Sequence, residues 1–233
     1  MELLAAGLLH DLNNQLSAVR MSSQLIARMA EGVPEIQKRT DGIERSLQQA
    51  RQLIESMVGL YSRPEPRGVS AEVDQVISDT VQSVQESHLA STRVEVITPS
   101  APLLARVQTT SLHRILLNLM INAGEAMEGR GCLRIQVERI RSLENASLIL
   151  PPAGAASWIR ISVTDSGPGI APEAFHRLFQ PSYSTKNRQN RIGSGLGLYV
   201  VHTLSKDEGI GLGVQSKVGE GTRFDLILPA ISA

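Results

Sequence analysis

Apolar positions near the start of the chain repeat with the seven-residue period of a helical seam. Leu9, Leu12, Leu16, Val19, Ser23, Ile26 and Ala30 step alternately by three and four residues. Ile36, Thr40, Ile43, Leu47, Ala50, Ile54, Met57 and Tyr61 do the same in a second run. This spacing keeps one face of an α-helix in register over the whole run. The Glu31-Gly32-Val33-Pro34 break between the runs predicts a helical hairpin. A hairpin cannot hide both stripes by itself, so the pattern predicts two hairpins joined as a dimeric four-helix bundle, and with it a homodimer. Arg63-Pro64-Glu65-Pro66-Arg67-Gly68 ends the second helix, because two prolines and a glycine cannot continue it, and reads as a linker. The expected division is 1–62 for the hairpin, 63–68 for the linker and 69–233 for a second domain.

That second domain has a different texture. Ala71 to Ser87 and Ser111 to Met127 carry helical periodicity, the latter turning Leu112, Ile115, Leu116, Leu119 and Ala123 toward a core. Arg93–Ile97, Leu133–Val137 and Ile159–Val163 read as strands, with Leu103–Val107 a further candidate. Arg141 to Ser157 is polar, then rich in Pro, Gly and Ala, and is expected to be an exposed connection. A helix from Leu196 to about Ser205 and a closing pair of strands, Leu212–Ser216 and Thr222–Leu228, complete the reading. Helices and strands mix without regular strand-helix-strand units. An α+β fold follows, with a mixed sheet covered by helices on one face.

Composition narrows the function classes. The 233 residues are 42% hydrophobic and 20% charged, which suits a folded core and excludes wholesale disorder. Aromatic residues make up 3%, too few to build stacking platforms for nucleic acid, and 23 basic residues balance 23 acidic ones, so no polyanion footprint stands out. Cys132 is alone, so no intrachain disulfide forms, and it is expected to be a small buried side chain in a strand. No stretch approaches the roughly 18 apolar residues of a membrane span, so no membrane contact within the chain and a cytoplasmic setting are expected.

Four clusters carry candidate chemistry. Asp165-Ser166-Gly167-Pro168-Gly169-Ile170 ends a strand with a carboxylate and then places glycines where backbone must turn tightly or approach a ligand. That carboxylate can accept a hydrogen bond from the exocyclic amine of adenine; an ordinary strand-ending turn is equally compatible with the motif alone. Gly193-Ser194-Gly195-Leu196-Gly197-Leu198 opens a helix, where unpaired N–H groups suit phosphate oxygens, or simply forms a turn. The preceding stretch, with Lys186, Arg188 and Arg191, could act as a mobile flap over a polyphosphate. Asn118 and Asn122 lie one turn apart on an otherwise apolar helix, as Mg²⁺ ligands through amide oxygen or as satisfied core amides. With Leu9 and Leu12 at heptad positions a and d, His10 falls at b, Asp11 at c and Asn14 at f. His10 and Asn14 are thus water-facing, and Asp11 can fix the imidazole tautomer, although an exposed histidine on a helix is usually inert.

These pieces occur in one order: His10-Asp11-Leu12-Asn13-Asn14, Asn118–Ala126, Asp165–Ile170, Leu178–Lys186, Gly193–Leu198 and Gly219–Phe224. The arrangement resembles the catalytic core of a bacterial two-component sensor histidine kinase over essentially the whole chain. The resemblance implies a dimerisation and histidine-phosphotransfer hairpin followed by a Bergerat-type ATP-binding α/β sandwich, the fold shared with gyrase, heat-shock chaperone and mismatch-repair ATPases. It implies His10 as phospho-acceptor, Asp11 as general base, and Asn14 as positioner of water for a possible phosphatase activity on the partner. It further implies Asn122 as the Mg²⁺ ligand with Asn118 beside it, Asp165 as the adenine reader with Gly167 and Gly169 shaping its turn, and Phe179 and Lys186 flanking a lid. Gly193, Gly195 and Gly197 match the lid hinge at the phosphates, and Thr222 joins the nucleotide-binding set. Cofactors would be ATP and Mg²⁺, and the partner a response-regulator receiver domain.

Gln15, Glu125 and the Ser205–Gly209 run depart from the common form of that family. The reading is therefore an ATP-dependent protein-histidine kinase that phosphorylates His10 and passes the phosphoryl group to a receiver aspartate. A catalytically inactive nucleotide-binding or phosphotransfer scaffold is the alternative. A chaperone- or topoisomerase-class ATPase leaves His10 and the heptad hairpin unexplained.

Overall fold

The computed structural model describes the backbone of residues 2–30, 33–61, 70–143, 147–181, 183 and 195–231. Within these it describes the side chains outside 2–14, 45, 48–49 and 51–61. The chain falls into two compact units. Linker residues 63–68 lie outside the described residues.

The first unit contains α1 (Glu2–Met29) and α2 (Pro34–Tyr61), packed on one another as a hairpin. Proline suits the first position of α2, where its fixed φ is helical and its missing N–H would have had no helical partner. The Val33 carbonyl accepts the N–H groups of Ile36 and Gln37, each at 3.1 Å. Arg20 Nε pairs with Glu44 at 3.4 Å. Along the seam Leu16 and Ala30 at a positions and Ile36 and Ala50 at d positions are all half-buried, and the remaining described rungs differ. Ser23, Thr40 and Leu47, all at a positions, are buried within the hairpin. Val19, Ile26 and Ile43, at d positions, remain 49%, 48% and 38% exposed. Thr40 satisfies its hydroxyl inside the helix, against the carbonyls of Ile36 and Gln37 at 3.1 and 2.9 Å.

The second unit is α+β. Its six-stranded mixed sheet comprises β2 (Ser91–Ile97), β4 (Arg130–Ile140), β5 (Leu148–Leu150), β6 (Trp158–Asp165), β7 (Gly211–Lys217) and β8 (Gly221–Pro229), in the spatial order β2-β4-β6-β8-β7-β5. The β2–β4 pair is parallel and every other pair antiparallel. A small antiparallel pair, β1 (Ala71–Glu72) with β3 (Leu104–Ala105), stands apart from it. Helices α3 (Val73–Gln85), α4 (Thr109–Ala126) and α5 (Gly197–Glu208) complete the unit, α4 against β4 and β6, α5 against β7, and α3 and α5 against α4.

Strand parity explains why the helices gather on one face. Leu133, Ile135, Val137, Ile159, Ile161 and Val163 point inward and are buried with Leu112, Ile115, Leu116 and Leu119 of α4. Polar side chains pair on the opposite face: Arg134 of β4 with Glu95 of β2 at 2.9 Å, Arg160 of β6 with Glu138 of β4 at 3.1 Å, and, within β8, Arg223 with Asp225 at 2.9 Å. The ends of α4 position it further. Gln108 lends no side-chain cap of its own. Instead the Glu208 carboxylate, from the end of α5, accepts the Gln108 N–H at 3.2 Å and the Ser111 hydroxyl at 2.7 Å. A carboxylate there satisfies orphan donors and complements the helix dipole, tying α5 to the start of α4.

Four expectations need correction. The 141–157 stretch is not merely a connection: Leu148–Leu150 adds β5 as an edge strand beside β7. Its three residues are too few to show alternation, and their pairing is irregular. Ala71–Glu72 belongs to a strand, not to the helix that follows, and the Leu103–Val107 strand shrinks to Leu104–Ala105. Cys132 lies in β4 as expected but is half-buried. A short 3₁₀ turn over Pro172–Arg177 has no counterpart in the sequence reading.

Candidate functional site

β6 ends on Asp165, whose carboxylate is buried, with the residue 8% exposed. It accepts the Gly167 N–H at 2.8 Å and the backbone N–H of Thr222. Burial raises the Asp165 carboxyl above its ordinary value, and those two donors oppose the rise. A carboxylate offers about four lone-pair sites, so acceptor capacity is left over. Leu133, Asp165, Thr222 and Ser216 are cross-strand neighbours along β4, β6, β8 and β7.

The loop after Asp165 is held by close backbone approach. Gly169 has φ +73, and a Cβ there would lie 2.1 Å from the Lys217 carbonyl oxygen. Gly221, at φ +101, would put a Cβ 2.0 Å from the Asp165 carbonyl oxygen. Only glycine fits either place. The Gly219 N–H donates to Pro168 O at 2.8 Å, locking the same loop to the β7–β8 turn.

The other end of the candidate site is built on α4. Asn118 and Asn122 are half-buried and one turn apart. Asn118 Nδ2 donates to Arg114 O at 2.9 Å. Asn122 Nδ2 is buried without a partner among the described residues. Gly197, the first residue of α5, lies over both amides: a Cβ there would sit 3.1 Å from Asn118 Oδ1 and 3.3 Å from Asn122 Nδ2. Gly195, just before it, is left-handed at φ +65. One helical turn past Asn122, Ala126 meets the Asp165 loop, 3.4 Å from where a Gly167 Cβ would be. The stripe Asn118, Asn122, Ala126 therefore joins the glycine start of α5 to the buried carboxylate over about 12 Å of helix. A nucleotide needs that combination: acceptors at one end for a base amine, and backbone N–H groups and amides at the other for phosphate oxygens. Asn122 Nδ2, a buried donor with no partner among the described residues, suits an acceptor such as a phosphate oxygen, and the Oδ1 atom of the same amide is a hard oxygen donor of the kind magnesium takes.

Phe179 packs against the core, its ring 5.5 Å from that of His202, linking the segment before 182 to α5. Lys186 and Gly193 lie outside the described residues, as do the side chains of His10, Asp11 and Asn14. Sequence reasoning overlooked Ser216. Its Oγ accepts the Ile170 N–H at 2.8 Å, donates to Gly221 O at 2.8 Å and contacts Thr222 Oγ1 at 2.9 Å. The signal was available: Leu212, Val214 and Ser216 share one strand parity, and a hydroxyl breaks an otherwise apolar run.

The chain is similar to known proteins. The chain is 27% identical to the sensor kinase CckA of Brucella abortus over 98% of its length, covering 24% of that protein. It is 26% identical to the sensor histidine kinase ZraS of Klebsiella oxytoca over 97% of its length, covering 45% of that protein. The chain thus spans less than half the length of these curated relatives. Among solved structures, full-length ShkA in complex with AMPPNP has the same fold, at a TM-score of 0.66 and 21% identity, over 100% of this chain and 47% of that one. Residues 107–232 match the family described as histidine kinase-, DNA gyrase B-, and HSP90-like ATPase. The match takes in over half of the chain and every described residue of the stripe and its two ends, so the chain belongs to that ATPase family.

Proposed function

We propose that the chain is a sensor histidine kinase core which binds ATP with magnesium along the α4 stripe and transfers the γ-phosphoryl group to a ring nitrogen of His10. The carrying observation is the continuity of that stripe, from Gly197 over Asn118 and Asn122 to the buried Asp165 carboxylate. Asp165 takes the base amine, Thr222 lies beside it, and Gly167 and Gly169 shape the loop. The N–H groups at the start of α5, with Gly193, Gly195 and Gly197, receive phosphate oxygens, and Phe179 and Lys186 flank them. Asn122, with Asn118 alongside, would hold the magnesium, which when bound supplies charge neutralisation for the polyphosphate. Phosphoryl transfer depends chiefly on such alignment and charge placement.

In this reading the imidazole of His10 attacks phosphorus with its lone pair and ADP leaves. Asp11 takes the proton from the other ring nitrogen, and Asn14 directs water in a phosphatase step. The hairpin (1–62) pairs with a second copy through the open d rung of Val19, Ile26 and Ile43, completing a four-helix bundle. The 63–68 linker lets the ATP-binding domain (69–233) reach His10. The phosphoryl group then passes to an aspartate of a response-regulator receiver domain in the cytoplasm, where ATP is supplied. No described helix is long and apolar enough to cross a membrane.

Incubating the full chain with magnesium and γ-labelled ATP tests this. The expected result is acid-labile label on the protein, lost in His10→Gln. Label that persists in His10→Gln refutes the assignment.

A further inference from the structure

We propose that β2, an open edge of the six-stranded sheet, pairs with β2 of a second copy of this chain, the two strands lying antiparallel about Val94 and joining two sheets into one. The inference is independent of the nucleotide-binding reading, and it uses a surface other than the open rung of the hairpin.

Within the sheet β2 has one neighbour, β4. The N–H and C=O of a residue leave a strand on the same side, so alternate residues face β4 and the open edge. The Thr92 N–H donates off the sheet, to Leu89 O at 2.9 Å. Thr92 therefore faces the open edge, and Val94 and Val96 face it with Thr92. Such an edge is a template for another strand. The sheet's other edge, β5, is blunted: it has three residues and irregular pairing. By contrast β2 runs for seven residues, with Val96 and Ile97 46% and 49% exposed at its end.

The order of charges selects the occupant. Arg93 and Glu95 flank Val94. Turning a second β2 antiparallel about Val94 sets Arg93 opposite the second copy's Glu95 and, by two-fold symmetry, Glu95 opposite its Arg93. The same register matches the backbone. The two Val94 residues exchange N–H and C=O, and each Val96 N–H meets the other copy's Thr92 carbonyl. Arg93 and Glu95 then form non-hydrogen-bonded pairs, in which side chains come closest. Slipping the pair so that it centres on Arg93 or on Glu95 keeps the backbone parity but sets two like charges opposite, which is unfavourable. In the single chain Glu95 holds Arg134 of β4 at 2.9 Å and Arg93 of its own strand. The Arg93 side chain is 72% exposed, so it can turn to the second copy without being drawn out of a packed site. Each Glu95 would then lie between Arg134 of its own sheet and Arg93 of the other.

The test is sedimentation of the full chain between about 1 μM and about 1 mM, the range in which a small interface is read, with Ile26→Asp present throughout to weaken pairing through the hairpin. A reversible association is expected at the upper end. Val94→Pro removes an N–H that the single sheet does not use, so it should abolish that association while the chain stays folded by circular dichroism. Arg93→Glu and Glu95→Lys each set like charges across the edge, and each should weaken self-association by about tenfold or more. An equimolar mixture of the two should associate again, because every facing pair is then of opposite sign. If Val94→Pro does not fold, the two charge variants and their mixture decide. A chain that stays monomeric at every concentration leaves the edge to a strand of another protein or to none, and overturns the proposal. So does an association that a folded Val94→Pro leaves intact, or a mixture that associates no more tightly than either charge variant alone.

Discussion

The helical hairpin and the α+β unit are each incomplete, but in opposite chemical senses. The hairpin leaves apolar groups open: Val19, Ile26 and Ile43 stand in water at three d positions while Ser23, Thr40 and Leu47 are buried at three a positions. The α+β unit buries its apolar groups on one face of the sheet, and a conspicuous want at its candidate site is polar, at Asn122. Missing apolar contact calls for another protein surface, and missing hydrogen-bond partners call for a polar ligand. The two regions therefore announce different kinds of partner before either is seen.

The strongest way to break the α+β side is to refuse it a backbone approach. Gly169→Ala combines a left-handed φ with a Cβ 2.1 Å from the Lys217 carbonyl, and should cost about 3 kcal/mol or more by urea unfolding. Gly219→Ala is the control: φ is +83 but nothing lies within 4 Å, so about 1 kcal/mol is expected. Equal losses at the two sites would show that the loop is not held where the carboxylate needs it.

The hairpin breaks differently. Ile26→Asp puts a charge on the open rung at a side chain already 48% exposed in the single hairpin. Folding of one chain should hardly notice it. In the proposed dimer, affinity should fall by about 100-fold or more, since each symmetric interface loses two apolar side chains, read by sedimentation against concentration. The unfolding midpoint of the α+β unit should stay where it was. A dimer that survives intact would mean the d rung is not the joining face.

How much of this was legible beforehand divides along the same line. Heptad spacing alone placed both helices and showed that apolar surface would be left over, because a seam is a local pattern. Alternation likewise placed β4, β6, β7 and β8. Lost were features that depend on distant partners: β5, three residues that become a strand only beside Leu212 and Gly213; the Glu208 carboxylate that caps α4 from another helix; and Ser216, whose three contacts come from the loop after β6 and the start of β8. The motif residues Asp165, Asn118, Asn122 and Gly197 were each ambiguous when read alone. Their joint placement on one stripe of α4 is tertiary information.

A pH titration sharpens the polar side. The folded Asp165 carboxyl is held above its ordinary 3.8 by burial. The native state thus keeps a proton that the unfolded chain has given up. This contribution to stability is fully present below 3.8 and is lost as pH rises through the raised value. Nucleotide binding runs the other way, because an amine donor prefers the ionised carboxylate, so ATP affinity should fall as pH drops through the same window. Asp165→Asn should flatten both dependences and weaken ATP by roughly 10- to 100-fold, the range for a hydrogen bond to a charged group. An unaltered pH profile of affinity in Asp165→Asn would remove Asp165 from the base end.

The smallest effects test whether the two regions obey one backbone rule. Gly42 lies inside α2, off the apolar seam, with nothing within 4 Å of where a Cβ would lie and no left-handed φ. Alanine there should stabilise the hairpin by about 0.5 to 1 kcal/mol, because it restricts the unfolded chain and favours helix. The end of α4 asks for the reverse exchange. Gly129 N–H reaches back to Gly124 O at 2.8 Å and Glu128 N–H to Glu125 O at 3.3 Å, which makes Glu128, at φ +55, the left-handed residue of a helix-ending motif that glycine usually fills. Glu128→Gly should therefore stabilise the α+β unit by a similar amount, measured by thermal melting. Glycine removed from one unit and glycine added to the other should carry the same sign, since what decides it is φ and the space around Cβ, not the residue's name. Should Glu128→Gly destabilise instead, the side chain of Glu128 contributes more than its backbone strain costs, and the end of α4 beside the base site is held by charge.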